Sequence, residues 1–491
     1  MTVAVLLLRA YRRAIAPAIA CVVALSAAPA QDHPSSLALT ARDAALQALA
    51  NNRALRVRRF DIAAAQADAA IARAAFDPVL SGEASRSIDD VGPRGEVETD
   101  RASLGVAVTA PTGTTLGVDS SIRRDDAAAL GEAASARVGV TVSQALLRGA
   151  RPSANLAELR AARLDVSISR WELAGFALEL AARAEDAYWD LVLARQSLVI
   201  VRESLTLAER QRDEIVERIA VGRLAGVEQA AADAELAIRR QALIDAEAGE
   251  AVARIRLLAL IEPTAAGLSR AVTGAESPDG TAELADPVDQ HLALARERRP
   301  DLRQARLLIE REELVIVRTR DGLLPRLDLF ASFGSSGYAR SVGRAYDAID
   351  GDVHDATVGL RVEYAFGRRA ERAAVTRAVA TRAQAEEALA NLVILDEADV
   401  RIAHIDAERA RAQAVASAAS VTAQEAALEV EVEKLRVGSG TALDVARAQR
   451  DLTQRRLEGA EAAIARRKAL TALYRDDGSL LDRRGIQVAE R

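Results

Sequence analysis

Downstream of Pro325 the chain alternates apolar and polar residues with a period of two. Leu327, Leu329, Ala331 and Phe333 share one face. After a Gly- and Asp-rich loop, Val358, Leu360, Val362 and Tyr364 do the same, with Gly359, Arg361 and Glu363 opposite. Matching sets occur earlier: Leu104, Val106 and Val108, then Leu116, Val118 and Ile122, then Val138, Val140 and Val142. The pattern predicts strands with a single apolar face. Apolar-out and polar-in is what a membrane barrel strand needs. A soluble sandwich edge is the alternative, and it is the weaker one because no strand carries two apolar faces to bury.

Around these segments the period changes. From Ser153 to about Ala220 no proline interrupts the chain, and Leu198, Val201, Leu205, Ala208, Ile215 and Ile219 recur at spacings of three and four, broken by one polar turn at Arg212. Leu395, Ala398, Ile402 and Ile405 do likewise between Arg368 and about Val437. This is coiled-coil spacing, and such helices reach roughly 100 Å at 1.5 Å per residue. Helices this long have to run beside other long helices.

The design is written twice. Val221 to Leu236 (VGRLAGVEQAAADAEL) aligns without a gap with Val437 to Leu452 (VGSGTALDVARAQRDL). Residues 51–80 match 298–327, with Leu55, Pro78 and Leu80 opposite Leu302, Pro325 and Leu327. In each copy a helical stretch runs into proline, which forbids continued helix and favours extended chain. Each Val-Gly marks a reversal between two long helices, with Gly222 and Gly438 as helix stops. Thr441 and Asp444 read as a cap and a first-turn acid. The returning helices end near Glu262-Pro263 and Asp476-Asp477-Gly478. The expected division is a signal peptide (1–30), a first repeat (31–262) with strands about 79–145, a linker (263–285), a second repeat (286–477) with strands about 326–365, and a tail (478–491).

Composition narrows the class. Of 491 residues, 50% are apolar and only 3% aromatic, with abundant Ala, as long closely packed helices require. Arg9, Arg12 and Arg13, the apolar run Ala14 to Ala27, and Ala28-Pro29-Ala30 predict an exported chain cleaved after Ala30. Cys21 after Ala18-Ile19-Ala20 is the alternative lipid attachment point. Loss of the three arginines takes the net charge from −6 to −9, which disfavours nucleic acid as a partner, and leaves no cysteine. After the signal, no apolar run reaches the roughly 18 residues of a membrane helix. The chain is then either soluble in the periplasm or a β-barrel.

Several stretches together resemble the outer membrane efflux protein family, the TolC-type channels. Ser143-Gln144-Ala145-Leu146-Leu147-Arg148-Gly149 is similar to its strand-to-helix corner. Ala187-Tyr188-Trp189-Asp190-Leu191-Val192 is similar to its long-helix signature. Gly440-Thr441-Ala442-Leu443-Asp444-Val445, with Ala448-Gln449, resembles its second turn. Val358-Gly359-Leu360 through Tyr364-Ala365-Phe366-Gly367 resembles its last strand and corner, so Gly149 and Gly367 are the corner glycines.

The resemblance implies a homotrimer, mainly helical, with long antiparallel coiled coils forming a periplasmic α-barrel. Each chain would give four strands to a twelve-stranded outer membrane β-barrel in contact with lipid. It implies a passive exit duct docked to a periplasmic adaptor (membrane fusion) protein and an inner-membrane pump of RND or ABC type. Two departures stand out. Ala145 and Ala365 occupy corner positions where the family commonly has proline. Also, 67 positions separate Pro78 from Ala145 but only 40 separate Pro325 from Ala365. The excess is about one hairpin: a surface loop, a periplasmic hairpin, or two more barrel strands. Phe330, Phe333, Tyr338 and Tyr364 would serve an interfacial girdle; the first copy's strand region has no aromatic residue after Phe76.

By the same resemblance, gating falls at the helical turns. Asp444 and Glu228 are the candidate constriction carboxylates, with Arg223 and Arg447 as partners; ordinary caps and surface charges are the alternative. His33, His291, His354 and His404 lack ligand spacing and read as surface residues, so no metal site is expected. No Gly-rich loop ends in Lys, and Gly-Ser-Gly at 438–440 reads as a turn, so no cofactor and no enzyme activity are expected. The acid pairs at 89–90 and 125–126 read as loop tips, and Trp171 and Trp189 as packing residues. The competing reading is a soluble periplasmic coiled-coil adaptor or structural protein.

Overall fold

The computed structural model describes residues 36–90, 96–127, 131–222, 225–274, 276–277, 286–350, 352–437 and 439–487. The signal segment with Cys21, His33, Arg223, Gly438 and most of 275–285 lie outside them. In chain order the elements are β1 (Ser36–Leu39), α1 (Ala41–Asn51), α2 (Arg53–Ala74), β2 (Val79–Asp90), β3 (Glu96–Thr109), β4 (Thr114–Ala127) and β5 (Gly131–Ala145). Then come α3 (Pro152–Asn155), α4 (Ala157–Ala220), α5 (Val227–Ile261), β6 (Ala271–Gly274), α6 (Val288–Arg298) and α7 (Pro300–Asp321). The last are β7 (Arg326–Ala339), α8 (Val342–Asp347), β8 (His354–Glu363), α9 (Arg369–Arg436), α10 (Ala442–Asp476) and α11 (Leu480–Arg483).

Helices α4 and α9 are the long members, with 64 and 68 residues. At 1.5 Å per residue each is about 100 Å long. The shorter helices pack along them: α2 and α7 on the half that leads to the strands, α5 and α10 on the other half. Along the first half four helices lie side by side in the order α2, α4, α7, α9; along the second the order is α5, α4, α10, α9. Among the described residues, no helix is long and apolar enough to cross a membrane.

A collar of small elements surrounds the waist of the bundle. Parallel strands β1 and β6 pair there. Helix α1 starts at a Thr40–Asp43 capping box and buries Ala41, Ala44, Ala45 and Ala48, so its backbone approaches α4 closely. Leu180, Tyr188, Leu191, Leu257, Leu258 and Ile261 fill one core there, and Leu178, Val400, Leu473, Tyr474, Leu480 and Ile486 a second. The stretch expected to be a tail therefore folds: Leu480 is fully buried and Ile486 is 5% exposed. Part of the expected linker is likewise ordered, as β6 and a 3₁₀ turn at Gly267–Ser269.

Among the described residues the remaining strands form one antiparallel sheet of six in the order β2-β3-β4-β5-β7-β8. The resemblance implies four strands per chain and the excess residues left six open; the described sheet has six. The excess residues of the first half are two full strands, β3 and β4 of 14 residues each, not a loop. They stay in the sheet because their alternation matches that of their neighbours and their backbones are paired on both sides. The acid pairs also differ from expectation. Asp89 and Asp90 end β2, and Asp125 and Asp126 lie within β4. Asp125 is held there by Thr99 Oγ1 at 2.7 Å and Arg123 Nε at 2.8 Å, so its carboxylate is satisfied without a loop.

His291 is not a surface residue. It is fully buried, with Nδ1 2.6 Å from Asp477 Oδ2 and its ring stacked on Tyr474. The buried carboxylate offsets the desolvation of the imidazole. His404 Nε2 lies 3.2 Å from the Asp286 carbonyl oxygen. Trp189 is 3% exposed, whereas Trp171 is 36% exposed beneath Arg303.

Candidate channel lining and helical tips

The strand register sorts side chains onto two faces. Val106, Val118, Val140 and Phe333 stand in one transverse row, and Val108, Leu116, Val142 and Ala331 in the next. Most of these apolar side chains are exposed, including Leu104, Val106, Leu116, Val118, Val140, Phe333, Leu360 and Val362. The stripe gives way to ion pairs at the end away from the helices, Arg86 with Asp100 at 2.6 Å and Arg124 with Glu132 at 2.7 Å. Helix α8 folds back over this face. Ala345 packs on Ala134 and Ala136, and Tyr346 Oη meets Ser120 Oγ at 2.6 Å.

The opposite face is polar. Glu83, Ser103, Ser121, Arg137 and Ser336 form one row, and Ser81, Gly105, Asp119, Gly139, Gly334 and Asp355 the next. Arg137 lies flat between them. Its guanidinium donates to Asp355 at 3.0 and 2.8 Å and to Asp119 at 3.2 Å. It can lie flat because Gly139 and Gly334 have no side chain; a Cβ at either would sit 2.6 or 2.5 Å from the guanidinium. Nearer the helices Phe330 covers Gly359, and Arg361 lies 5.4 Å over the Phe330 ring.

Sheet and helices meet at two corners. Gly149 (φ +82°) and Gly367 (φ +89°) both take left-handed backbone, and Arg368 follows at φ +43° as the cap of α9. The Gly149 amide donates to the buried Asp321 carboxylate at 2.7 Å, and the Asn155 amide donates to the Gly149 and Pro111 carbonyls at 2.7 and 2.8 Å. Pro111 belongs to the β3–β4 turn, so the extra hairpin is tied into the corner. Gly113 in that turn has φ +76°, and a Cβ there would collide with the Gly149 carbonyl. Ala145 ends β5, and Ala365 follows β8 by two positions. Glycine, not proline, makes the bends.

At the far end of the bundle each long helix reverses. Gly222 (φ +74°) follows α4, and its amide donates to the Ile219 carbonyl. Glu228 is exposed in the first turn of α5, which starts without a side-chain cap. The second reversal is built differently. Thr441 and Asp444 form a full capping box, with Asp444 Oδ2 accepting from the Thr441 hydroxyl at 2.6 Å and its amide at 3.3 Å. These bonds, with the nearby Arg447 charge, hold the Asp444 carboxyl below the usual range. Arg447 is 3.9 Å away. Asp444 thus caps its own helix, while Glu228 and Arg447 stand exposed. The two reversals are cross-linked farther up by Gln211 with Gln449 at 2.5 Å and Glu235 with Arg450 at 3.0 Å.

A cluster of charges lines the groove between α4, α9 and α10: Asp186, Asp399, Asp406 and Asp476 against Arg409, Lys468 and Arg475. Burial pushes Asp186 up to about 6 despite Lys468, and Asp190 adds to the rise. The native state therefore keeps a proton that the unfolded chain releases near pH 4. Stability should fall as pH rises from about 4 to 6 and stay flat above. Asp186→Asn is expected to flatten that slope and to gain on the order of 1–2 kcal/mol relative to wild type at pH 8. Denaturation midpoints of both proteins at pH 4.5 and 8 would show it; parallel pH profiles would refute it.

Residues 292–479 match the model of the family described as outer membrane efflux protein. Over the whole chain, the fold is similar to the Campylobacter jejuni CmeC outer membrane channel (TM-score 0.69, 16% identity), covering 90% of this chain and 86% of that one. It is also similar to the outer membrane protein VceC of Vibrio cholerae (0.67, 16%, covering 89% and 96%). A third likeness is to the open state of the MtrE outer membrane channel of Neisseria gonorrhoeae (0.66, 18%, covering 90% and 89%). No curated protein sequence matches the chain. The residues themselves point to Thr441 and Asp444 as cap and first-turn acid, and the resemblance points to Gly149 and Gly367, both of which take left-handed backbone. Sequence patterning missed the Arg137 clamp, although an arginine with glycines at 139 and 334 is the signal that, once strand register is known, would have found it.

Proposed function

We propose that this chain is a passive exit duct of the outer membrane, extending into the periplasm, that works as a homotrimer in a tripartite efflux or type I secretion system. A periplasmic adaptor and an inner-membrane RND or ABC-type pump would deliver its substrate. The supporting observation is a single sheet with one exposed apolar face, one polar face and two open edges, β2 and β8, set on long helices. Hydrocarbon does not tolerate open edges, so several chains have to close one barrel. The exposed apolar face also disfavours a soluble periplasmic adaptor, for which it would be an aggregation liability. In this reading Asp444, Glu228, Arg223 and Arg447 ring the tunnel mouth, and Gly222 and Gly438 shape the reversals that narrow it.

The test starts from membranes of cells expressing the full chain. Mild detergent should release a trimer that conducts in a planar bilayer. A monomer or dimer released without detergent, with no conductance, would end the channel reading. Asp444→Ala removes the second capping box and should loosen one tip. Faster hydrogen exchange at 441–446 and a longer open time are expected. Faster exchange with unchanged gating would make Asp444 a structural cap alone.

A further inference from the structure

The geometry points to a wide barrel, for which we propose bulky hydrated cargo, admitted by size rather than by charge; the inference rests on the duct reading above. Six strands per chain are present instead of four, and this changes the width of the barrel relative to the tunnel beneath it. Six strands about 4.8 Å apart and tilted about 40–45° span an arc of about 38–41 Å. Four helices side by side, at about 9–10 Å each, span about 36–40 Å. The sheet of one chain therefore covers the same arc as the four helices it stands on, whatever number of chains closes the ring. A four-strand sheet would cover only about 27 Å and force the duct to taper at the corner.

The occupant of each open edge is a second copy of this chain. Strand β2 leaves the helical end and β8 returns to it, so β8 of one copy and β2 of the next run antiparallel. Three copies then make eighteen strands, a perimeter of about 120 Å and, after side chains, a bore of about 25–30 Å; twelve strands would leave about 15 Å.

The lining suits this width. Ser81, Ser103, Ser121, Ser135, Ser332 and Ser336 present short hydroxyls on the polar face. Of the long cations on that face, Arg137 is pinned to the wall over two glycines and paired with Asp119 and Asp355, Arg123 is paired with Asp125 at 2.8 Å, Arg361 lies over the Phe330 ring, and Arg101 stands beside Arg123 in the next row. Short hydroxyls interspersed with charges of both signs, several of them paired within the wall, leave water in the bore and no field of a single sign to sort ions. The extra hairpin is built into the corner through Asn155 and Gly113, so it belongs to the wall and is not an insertion hanging from it.

Sized polyethylene glycols added to the barrel side of a planar bilayer, opposite the tips, test the width directly. In the wild-type trimer, polymers of hydrodynamic radius up to about 12 Å should enter and depress the current, as an eighteen-strand bore allows. Deleting residues 96–127 should lower the cut-off about twofold. A wild-type cut-off near 7 Å would overturn the wide barrel while leaving the duct intact, and this decides the matter even where the deletion does not assemble. A chain that forms no conducting trimer would overturn both the duct and this inference.

Discussion

Replacing Glu185 with alanine is expected to cost about 3–5 kcal/mol, because it strips a buried charge from its partners. Glu185 sits in the middle of α4 with no exposed surface. Its two oxygens accept from Arg484 at 2.7 and 2.8 Å, and one also accepts from the buried Thr471 hydroxyl at 2.9 Å. One side chain thereby joins α4, α10 and the turn after α11. Removing it leaves the Thr471 hydroxyl and the guanidinium of Arg484 short of an acceptor in the collar, the costly way to break such a pair. Glu185→Gln keeps an acceptor for Thr471 and should lose less. A cycle with Arg484→Ala should return a coupling of about 1–3 kcal/mol. Denaturation midpoints of the purified assembly measure all four proteins, and a Glu185→Ala midpoint equal to wild type would refute the role.

The second large effect is expected from ending the chain after Gly478. The cut removes Leu480, fully buried, and Ile486, 5% exposed, and takes away Arg484. It also removes Arg483, which bonds Asp286 at 2.7 Å and lies 4.3 Å over the Tyr474 ring. Losing two core side chains and uncovering Glu185 together should cost on the order of 5–8 kcal/mol, enough to abolish a folded collar. Limited proteolysis should then cleave near α1 and α6, whose buried faces pack at the same level. A truncated chain that resists protease as wild type does would show that residues 479–487 are dispensable.

Both effects depend on a segment that patterning reads as a tail: it supplies Arg484 to Glu185, and it is what the truncation removes. SLLDRRGIQ is too short for a helical period to emerge, and its apolar residues matter only because Leu178, Val400 and Leu473 wait for them on distant helices. His291 was misread for the same reason: an isolated histidine looks like surface until Asp477 arrives from 186 positions away. The acid at Asp125 reads as a loop tip because Thr99 becomes its neighbour only when β3 pairs with β4, and Arg123 shares its face only once that stretch is extended. The Thr441–Asp444 cap was legible, since a capping box is a local constraint on a few consecutive residues, whereas the corner glycines entered through the resemblance of the stretches around them.

What the sequence determined by itself is whatever depends on period and on local backbone chemistry. The long helices follow from apolar spacings of three and four without proline, the strands from alternation after Pro78 and Pro325, and the reversals from Val-Gly. What only the tertiary structure decided is what depends on pairing across distance. An excess of residues between Pro78 and Ala145 fits a loop, a hairpin or two strands equally well. Hydrogen bonding of β3 and β4 on both sides makes them wall and sets the count at six. The Arg137 clamp and the collar that holds Glu185 follow the same rule. Their energy comes from groups brought together by register and packing, and neither quantity is written in any single stretch of the chain.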